Sequence, residues 1–496
     1  MNLSLLILIP VLTLVGILLF KRENARVVAF AGSLLQLCLA LFLLFAYMNE
    51  RSAGNAASLL FESKYIWFSQ WNINYHIGID GISLAMILLT SVVLFAGVLV
   101  SWNVEYQTKE FFFLLVMLAM GAFGFFISVD LFTQFFFFEL AVIPKYLLIA
   151  IWGSGRKEYS AMKLVLMLMG GSALVLIGIL SLYYFSVQSG TPTFSLLEIS
   201  KLGLSPEKQM FVFPFLFIGF GVLSAMFPFH TWAPDGHSSA PTAASMFLAG
   251  ISMKLGGYGC LRVATVLLPD AAREYSIYII ILACIGILYG AFVTLKQRDI
   301  KLMNAYSSVS HCGFVLLGIA MLTRTAMTGA VLQMISHGVM TALFFAVIGM
   351  IYERSHTRIG SEMGGLLKVM PFLGTIFIIA GLTSLGLPGF SGFVAEMTVF
   401  VGSFQVADTF HRVATIIATA SIVVTAVYIL RAVGISLWGP IKNPEYSGGN
   451  LSDATWNEKL ASAVLVVSIV IMGTMPLWLS DMITKTTETL FGAVIK

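Results

Sequence analysis

Apolar stretches long enough to cross a lipid bilayer as helices follow one another along the whole sequence. A helix needs about 20 apolar residues to span the hydrocarbon core. Fourteen stretches come close to this length, at residues 2–20, 27–47, 82–102, 111–129, 131–152, 162–186, 211–228, 242–266, 276–295, 302–322, 327–351, 372–400, 412–437 and 460–480. Only 10% of the 496 residues are charged, against roughly 25% in soluble domains. The sequence therefore predicts an all-α polytopic membrane protein with about 14 transmembrane helices in a lipid bilayer.

Short loops rich in lysine and arginine predict the orientation of the chain. Basic segments at 21–26, 153–163, 296–301 and 353–358 follow the first, fifth, ninth and eleventh stretches, so they lie on one side. Cytoplasmic loops are enriched in these residues. With an even number of spans, both termini are then expected on the non-cytoplasmic side of a bacterial inner membrane. The net charge of +4 is small and scattered, which gives no indication of nucleic-acid binding.

Two of the apolar stretches contain residues that interrupt helices. The helix-interrupting residues at and after the end of the seventh stretch are Pro228, Pro234, Gly236 and Pro241. Those within the twelfth stretch are Gly386, Pro388, Gly389 and Gly392. Proline removes a backbone donor, and unpaired backbone at membrane depth is tolerated only inside protein or beside a water-filled cavity. We therefore predict that helices 7 and 12 are broken. Breaks five spans apart are typical of two inverted repeats with ion sites at the breaks.

Several ionisable side chains lie inside the apolar stretches, namely Glu139, Lys145, Lys163, Lys254, His311, His337 and Glu396. A charge near the bilayer centre costs about 2.5–3.5 kcal/mol on insertion scales, so these residues predict a polar interior path. A carboxylate beside a lysine can take up or release a proton when its partner moves. Lys163 has the alternative of extending to the membrane surface. The two histidines have the alternative of binding a carbonyl of a neighbouring helix.

Neither the cysteines nor other residues indicate a cofactor site in this chain. Cys38, Cys260, Cys284 and Cys312 each stand alone in an apolar run, without the spacing of a metal or iron–sulfur site. We find no pairing of a nucleophile with a base and no glycine-rich phosphate motif. Proton relay is therefore the chemistry that the interior charges favour.

Five segments carry a resemblance to a known family. They are "YHIGIDGISL" (75–84), "HTWAPDGHSSAPTAASMFLAGISMKLGGYG" (230–259), "KLMNAYSSVSHCGFVLLG" (301–318), "QMISHGVMTALFF" (333–345) and "SLGLPGFSGFVAE" (384–396). Together they resemble the antiporter-like subunits of respiratory complex I, the proton-translocating NADH:quinone oxidoreductase, and among these the chain M (subunit 4) type. The resemblance covers approximately residues 70–440.

The resemblance implies an architecture and a setting. The expected parts are an N-terminal three-helix segment (1–110), inverted repeats of five helices each (111–266 and 267–437) and a C-terminal helix (438–496). Such a subunit moves protons in response to quinone reduction elsewhere in the complex. Flavin, iron–sulfur clusters and quinone are expected in partner subunits, with none in this chain. The expected partners are other membrane-arm subunits, including neighbouring N-like and L-like antiporter-like chains.

The resemblance also assigns roles to individual residues. By position, Glu139 matches the glutamate of the fifth helix, Lys254 the central lysine of the eighth, and Glu396 the terminal proton-transfer residue of the twelfth. His311 and His337 match histidines of the connecting polar axis. One position departs from the family, because a lysine expected on the seventh helix is replaced by Leu223.

Lys145 suggests where the missing lysine has gone, because the family has an uncharged residue at this position. Our hypothesis is that the lysine has relocated from the seventh helix to the fifth. Six residues of ideal helix separate Glu139 from Lys145 by about 9 Å of rise and roughly 240° of rotation, although Pro144 bends the helix. The alternative is that Lys145 extends to the cytoplasmic surface or packs against a neighbouring subunit.

Two other functions share these sequence features. A subunit of a multi-subunit cation/proton antiporter has the same fold and many of the same motifs, although sodium would favour clustered oxygen ligands over lysines. A structural spacer that no longer pumps is the other alternative, since the lysine of the seventh helix is absent.

Overall fold

The protein is almost entirely α-helical. The structure, a computed structural model, describes residues 2–442 and 451–492. Its N-terminal half contains α1 (Leu5–Leu19), α2 (Ala25–Ser52), β1 (Leu60–Phe68), β2 (Ile73–Ile79), α3 (Gly81–Val100), α4 (Thr108–Ile127), α5 (Leu131–Leu140), α6 (Val142–Trp152), α7 (Lys157–Gln188), α8 (Leu196–Ile199), α9 (Pro206–Leu223), α10 (Trp232–Ser239), α11 (Thr242–Phe247) and α12 (Met253–Gly259). Its C-terminal half contains α13 (Pro269–Lys296), α14 (Ile300–Ala320), α15 (Arg324–Ser355), α16 (Leu366–Val369), α17 (Pro371–Ser384), α18 (Ser391–Phe404), α19 (Thr409–Leu437), α20 (Trp456–Thr474) and α21 (Leu477–Phe491).

Many of these helices are membrane spans by length and composition. Ten helices within the described ranges are long and apolar enough to cross a membrane, and α1, α17 and α18 are shorter apolar helices. The apolar segment of α15 is completely buried by the rest of the chain, whereas that of α2 is 28% buried. The chain is thus a multi-pass membrane protein with α15 near its centre. Helical residues occupy each of the fourteen predicted stretches, but the number of spans stays a prediction.

The predicted interruptions are confirmed at both positions. In the seventh stretch, α9 ends at Leu223 and α10 begins at Trp232. In the twelfth, α17 ends at Ser384 and α18 begins at Ser391. Gly386 in the second break has a φ of 74°, a left-handed conformation that glycine adopts without steric cost. Each break therefore creates two helix ends inside the bundle.

The prediction of a purely helical fold was wrong for the loop between the second and third stretches. Residues 60–68 and 73–79 form an antiparallel hairpin, with Tyr65 opposite Tyr75. Aromatic and β-branched residues in this segment favour an extended chain. The hairpin is attached to the bundle by the Asn74 amide, which donates to Asp130 Oδ2 at 3.2 Å.

The C-terminal prediction also needs a correction. The span expected at 460–480 ends at Thr474, because Pro476 cannot continue the helix. A second, amphipathic helix follows, α21, which sequence reasoning missed. It packs on the start of α3, where the Gly81 amide donates to Thr486 Oγ1 at 3.0 Å.

The four basic loops lie at one end of the bundle, which we call the basic-loop face. Ser154, Lys301 and Arg358 line one cavity of about 200 Å³ there. Arg26 donates to the carbonyl of Trp102 at 3.2 Å. Trp102 follows Ser101, which lines the same cavity. The lysine-rich and arginine-rich segments are therefore on a common side, as their spacing predicted.

A buried ion pair joins α3 to the eighth span. Asp80 caps α3 by accepting hydrogen bonds from the amides of Ile82 and Ser83. Its other oxygen pairs with Arg262. The side chains of Asp80 and Arg262 are only 1% and 8% exposed, so each neutralises a charge that water cannot reach.

Removal of one partner should therefore be costly. We expect Arg262→Leu to lower the free energy of unfolding by about 3–5 kcal/mol, because Asp80 would remain buried and unpaired. Thermal inactivation of the purified protein in detergent measures the change. Arg324→Leu is the control, since Arg324 pairs with Glu488 at the surface and such pairs contribute about 0–1 kcal/mol. Equal stability of the two variants would contradict the prediction.

Candidate functional site

Lys254 lies inside the eighth span between two widened turns of helix. The span begins with α11, passes through a π-helical turn at Leu248–Ser252, continues as α12, and passes through a second π-helical turn at Cys260–Thr265. Such turns occur most often at functional sites. Lys254 is 2% exposed, and its Nζ donates to the Ala249 carbonyl of the first widened turn at 2.5 Å. The helix itself thus supplies an acceptor for the buried ammonium group.

A row of ionisable side chains continues from Lys254 across the bundle. Lys254 Nζ lies 2.7 Å from Nδ1 of His337 on α15. With the lysine as donor, His337 accepts at Nδ1 and carries its proton at Nε2. The ring of His337 is 5.2 Å from that of His311 on α14, centroid to centroid. His311 Nδ1 in turn lies 3.3 Å from Oε1 of Glu396 on α18.

The far end of this row lies at the break in the twelfth stretch. A Cβ atom on Gly386 would lie 2.9 Å from Oε2 of Glu396, so the broken backbone touches the carboxylate. Ser384, the last residue of α17, has its Oγ 3.2 Å from His311 Nε2. Gln333 Nε2 lies 3.3 Å from His311 Nδ1. Hydroxyl and amide groups therefore fix the ring that lies between Glu396 and His337.

The short distance from Lys254 to His337 depends on a close approach of two helices. Gly250 is in the first widened turn, and Gly338 follows His337 on α15. A Cβ on Gly338 would lie 2.8 Å from the Gly250 carbonyl oxygen and 2.7 Å from Leu89. No side chain fits at this contact, so the backbones touch directly.

Glu139 and Lys145 form a second charged site, at the junction of α5 and α6. Lys145 is 1% exposed, and its Nζ finds no hydrogen-bond partner in the part of the chain that the structure describes. The same holds for Oε1 of Glu139, which has Ser172 on α7 as its polar neighbour. The two charges interact through space without forming an ion pair. The structure thus buries Lys145 within its own chain.

Leu223 occupies the position where the resemblance implies a lysine. It is the last residue of α9 and is 1% exposed. A Cβ on Gly256, two residues after Lys254, would lie 3.0 Å from the Leu223 carbonyl carbon. The first break therefore touches the helix turn that carries Lys254.

Lys163 lies apart from both charged sites. Its Nζ pairs with Asp235 Oδ2 on α10 at 2.6 Å, and the two side chains are 23% and 40% exposed. The structure places this pair near the basic-loop face, beside a cavity of about 220 Å³ that Asp235 lines.

Two residues between Lys254 and the basic-loop face escaped the sequence reasoning. Lys301 on α14 donates through Nζ to the Ala240 carbonyl at 2.5 Å and is 7% exposed. His237 on α10 is fully buried, with neither ring nitrogen bonded to a described residue. Its charge would interact with both Lys254 and Lys301. By sequence, Lys301 belongs to the basic segment 296–301, and His237 lies among the residues that interrupt the seventh stretch.

The described residues contain no group of three or more His, Cys, Asp or Glu side chains that could hold a metal ion. The buried ionisable groups instead form a row of basic side chains, from Lys301 to His311, that ends at the carboxylate of Glu396. Neighbouring groups of this kind can exchange a proton through hydrogen bonds or short water bridges, so the chemistry that the row permits is proton transfer.

The fold and the site together define an antiporter-like membrane protein, in which interrupted helices surround a buried row of ionisable side chains. Residues 128–423 match the family model described as NADH:quinone oxidoreductase/Mrp antiporter, TM. The chain belongs to this family.

Two relatives and one solved structure are similar to this chain along nearly their whole length. The chain is 35% identical over 492 residues to NAD(P)H-quinone oxidoreductase chain 4 2 of Picosynechococcus sp., covering 98% of this chain and 93% of the relative. It is 35% identical over 484 residues to NADH-quinone oxidoreductase subunit M of Rickettsia bellii, covering 95% of each. A chain in respiratory complex I from Thermus thermophilus with bound NADH superimposes with a TM-score of 0.90 at 25% identity, covering 100% of both chains.

Proposed function

We propose that this chain is a proton-translocating membrane subunit of NADH:quinone oxidoreductase, of the subunit M or chain 4 type. The relatives named above support the assignment through their names and their near-complete coverage. The observation that carries it is the row from Lys254 through His337 and His311 to Glu396, in which the two histidine rings contact each other without a hydrogen bond between them. Several buried charges would be too costly to retain in a membrane unless they served such a path.

The relay starts at the basic-loop face. Lys301 lines the cavity of about 200 Å³, and His237 lies between it and Lys254. A proton taken up there reaches Lys254, which passes it to His337 Nδ1. Protonated His337 releases its Nε2 proton, and transfer continues past His311 to Glu396 beside the second break.

Glu139 and Lys145 drive the cycle in this proposal. In the described structure the charge that acts on Lys145 is that of Glu139, and a change in their separation alters the electric field of the pair. In this proposal the change in field sets whether Lys254 holds or releases its proton. Lys145 thus performs the role that the resemblance assigns to a lysine at Leu223.

The finer architecture belongs to the same proposal. It comprises fourteen spans, an N-terminal segment (1–110), two inverted repeats (111–266 and 267–437) and a C-terminal segment (438–496). Each proposed repeat contains one broken helix, α9 with α10 in the first and α17 with α18 in the second. We place the chain in a bacterial inner membrane with both termini on the non-cytoplasmic side, between N-like and L-like chains. Flavin, iron–sulfur clusters and quinone are then held by partner subunits.

Co-purification tests the assignment to the quinone oxidoreductase. A tagged chain extracted in mild detergent should carry flavin and iron–sulfur absorbance and should oxidise NADH with a quinone analogue. The alternative, a multi-subunit cation/proton antiporter, predicts membrane-only partner chains and no flavin. A pumping rate that depends on sodium concentration would also favour this alternative. A structural spacer would co-purify with flavin, but its substitution at Lys254 would leave pumping unchanged.

A further inference from the structure

We infer that a second polar path connects the basic-loop face to Glu396, separate from the path through Lys301 and His237. It follows α19 and supplies water and protons directly to the end of the relay. This inference rests on the proposed function, because it gives Glu396 a source of protons other than His311.

The outer part of the path is a small cavity between α19 and the link from α13 to α14. Its volume is about 70 Å³, and its lining includes Arg298, Asp299, Gly360, Tyr428, Arg431 and Ser436. A cavity needs roughly 10–15 Å³ of this volume to hold one water molecule, with polar partners in reach. The cavity therefore has room for a short file of water molecules.

Two buried hydroxyl groups lead inward from this cavity. Ser436 is 1% exposed, and its Oγ has no hydrogen-bond partner among the residues described. Tyr428 lies eight residues earlier on α19, about 12 Å deeper along the helix axis, and is 2% exposed. Both residues line the cavity. Unsatisfied buried hydroxyls are costly, and water in the cavity would satisfy them.

The inner end of the path reaches the site already described. The Tyr428 hydroxyl faces those of Ser307, Ser384 and Thr425 without a well-formed hydrogen bond to any of them. Ser384 Oγ is 3.2 Å from His311 Nε2. Tyr428 also lies close enough to Glu396 for an electrostatic interaction. A rotation of the tyrosine hydroxyl would join the water file to Ser384 and Glu396.

The charges at the outer end define what the path carries. Arg298 and Arg431 line the cavity with a single carboxylate, Asp299, and that carboxylate lies 3.6 Å from Arg358 Nε. Two arginines repel small cations, hydronium as well as sodium, and the paired carboxylate offers them little attraction. The outer cavity therefore suits neutral water, and its charges do not distinguish protons from sodium.

Cysteine accessibility tests the outer part of the path. In the complete complex, after replacement of the four native cysteines of this chain, Ser436→Cys should react with a membrane-impermeant anionic thiosulfonate added to inside-out vesicles. Val433→Cys is the matched control, because Val433 is buried on the same helix and is not among the cavity residues. Labelling at 436 with none at 433 supports the path. Equal labelling at both positions, or none at 436, overturns it.

Proton pumping tests the inner part. Tyr428→Phe keeps the ring and removes the hydroxyl, so NADH-driven acidification should fall by about tenfold at unchanged complex content. Glu396→Gln in the same assay tests the proposed function itself. If Glu396→Gln abolishes pumping while Tyr428→Phe pumps at the wild-type rate, the second path is wrong and the relay stands. If Glu396→Gln pumps normally, the proposed function fails.

Discussion

Replacement of Lys254 by methionine should abolish NADH-driven proton pumping while the complex still assembles. Lys254 contacts both the first widened turn and His337. Loss of a positioned proton-transfer group costs about a hundredfold or more, which an acidification assay cannot distinguish from zero. The measurement is the initial rate of lumen acidification in inside-out vesicles, divided by the amount of assembled complex.

Lys485→Met is the control for this experiment, because Lys485 is exposed on α21 and far from the row in the chain. We expect it to pump at the wild-type rate. A Lys254→Met variant that also pumps at that rate would remove the relay from the proposal and leave the structural spacer as the better explanation.

Loss of Lys145 should also stop pumping, and a lysine returned to the seventh helix should restore it. Two unit charges at a separation equal to the ideal helix rise from Glu139 to Lys145, about 9 Å, interact by about 2 kcal/mol at an effective dielectric constant of about 20. This energy corresponds to a roughly thirtyfold change in an equilibrium constant. Lys145→Met should therefore reduce acidification by about thirtyfold. The double variant Lys145→Met/Leu223→Lys should recover most of it, because position 223 also lies beside the turn that carries Lys254.

The single and double variants together distinguish a relocated charge from a role of Lys145 in packing. Lys145→Met with wild-type pumping would mean that Glu139 works with another partner. Lys145→Met without pumping, and without rescue by Leu223→Lys at equal complex content, would mean that Lys145 is needed at its own position. Leu223→Lys alone places two lysines in the site, and we expect slower pumping from it because their charges repel.

Hydrophobicity and helix breakers were sufficient to predict much of this fold. The apolar stretches predicted the helices, because a helix pairs all of its backbone hydrogen-bonding groups within one segment and can therefore lie in lipid. The prolines and glycines around Pro228 and Pro388 gave both breaks. The hairpin at 60–79 was missed because it lies outside the apolar stretches, and the amphipathic α21 was missed because its first residues were counted in the stretch 460–480 and the rest is not apolar enough.

The candidate site was predictable as a set of residues, whereas its contacts were not. Charges in apolar stretches identified Lys254, His337, His311 and Glu396, which the structure brings into one row. Lys163 has the same sequence signal, yet it pairs with Asp235 near the surface. The choice depends on which helices are neighbours, and that information is absent from the spacing along one chain. His237 was missed for the same reason.

The contact between Gly250 and Gly338 limits which residues can be substituted during the evolution of this protein. A lysine can disappear from one helix and another can arise on a second helix, as Leu223 and Lys145 suggest, because an electric field acts at a distance. A proton transfer does not tolerate such displacement, since its rate falls steeply once donor and acceptor separate. The spacing of Lys254 and His337 is set by two residues that have no side chain, so natural variation should be freer among the charges than at these two glycines.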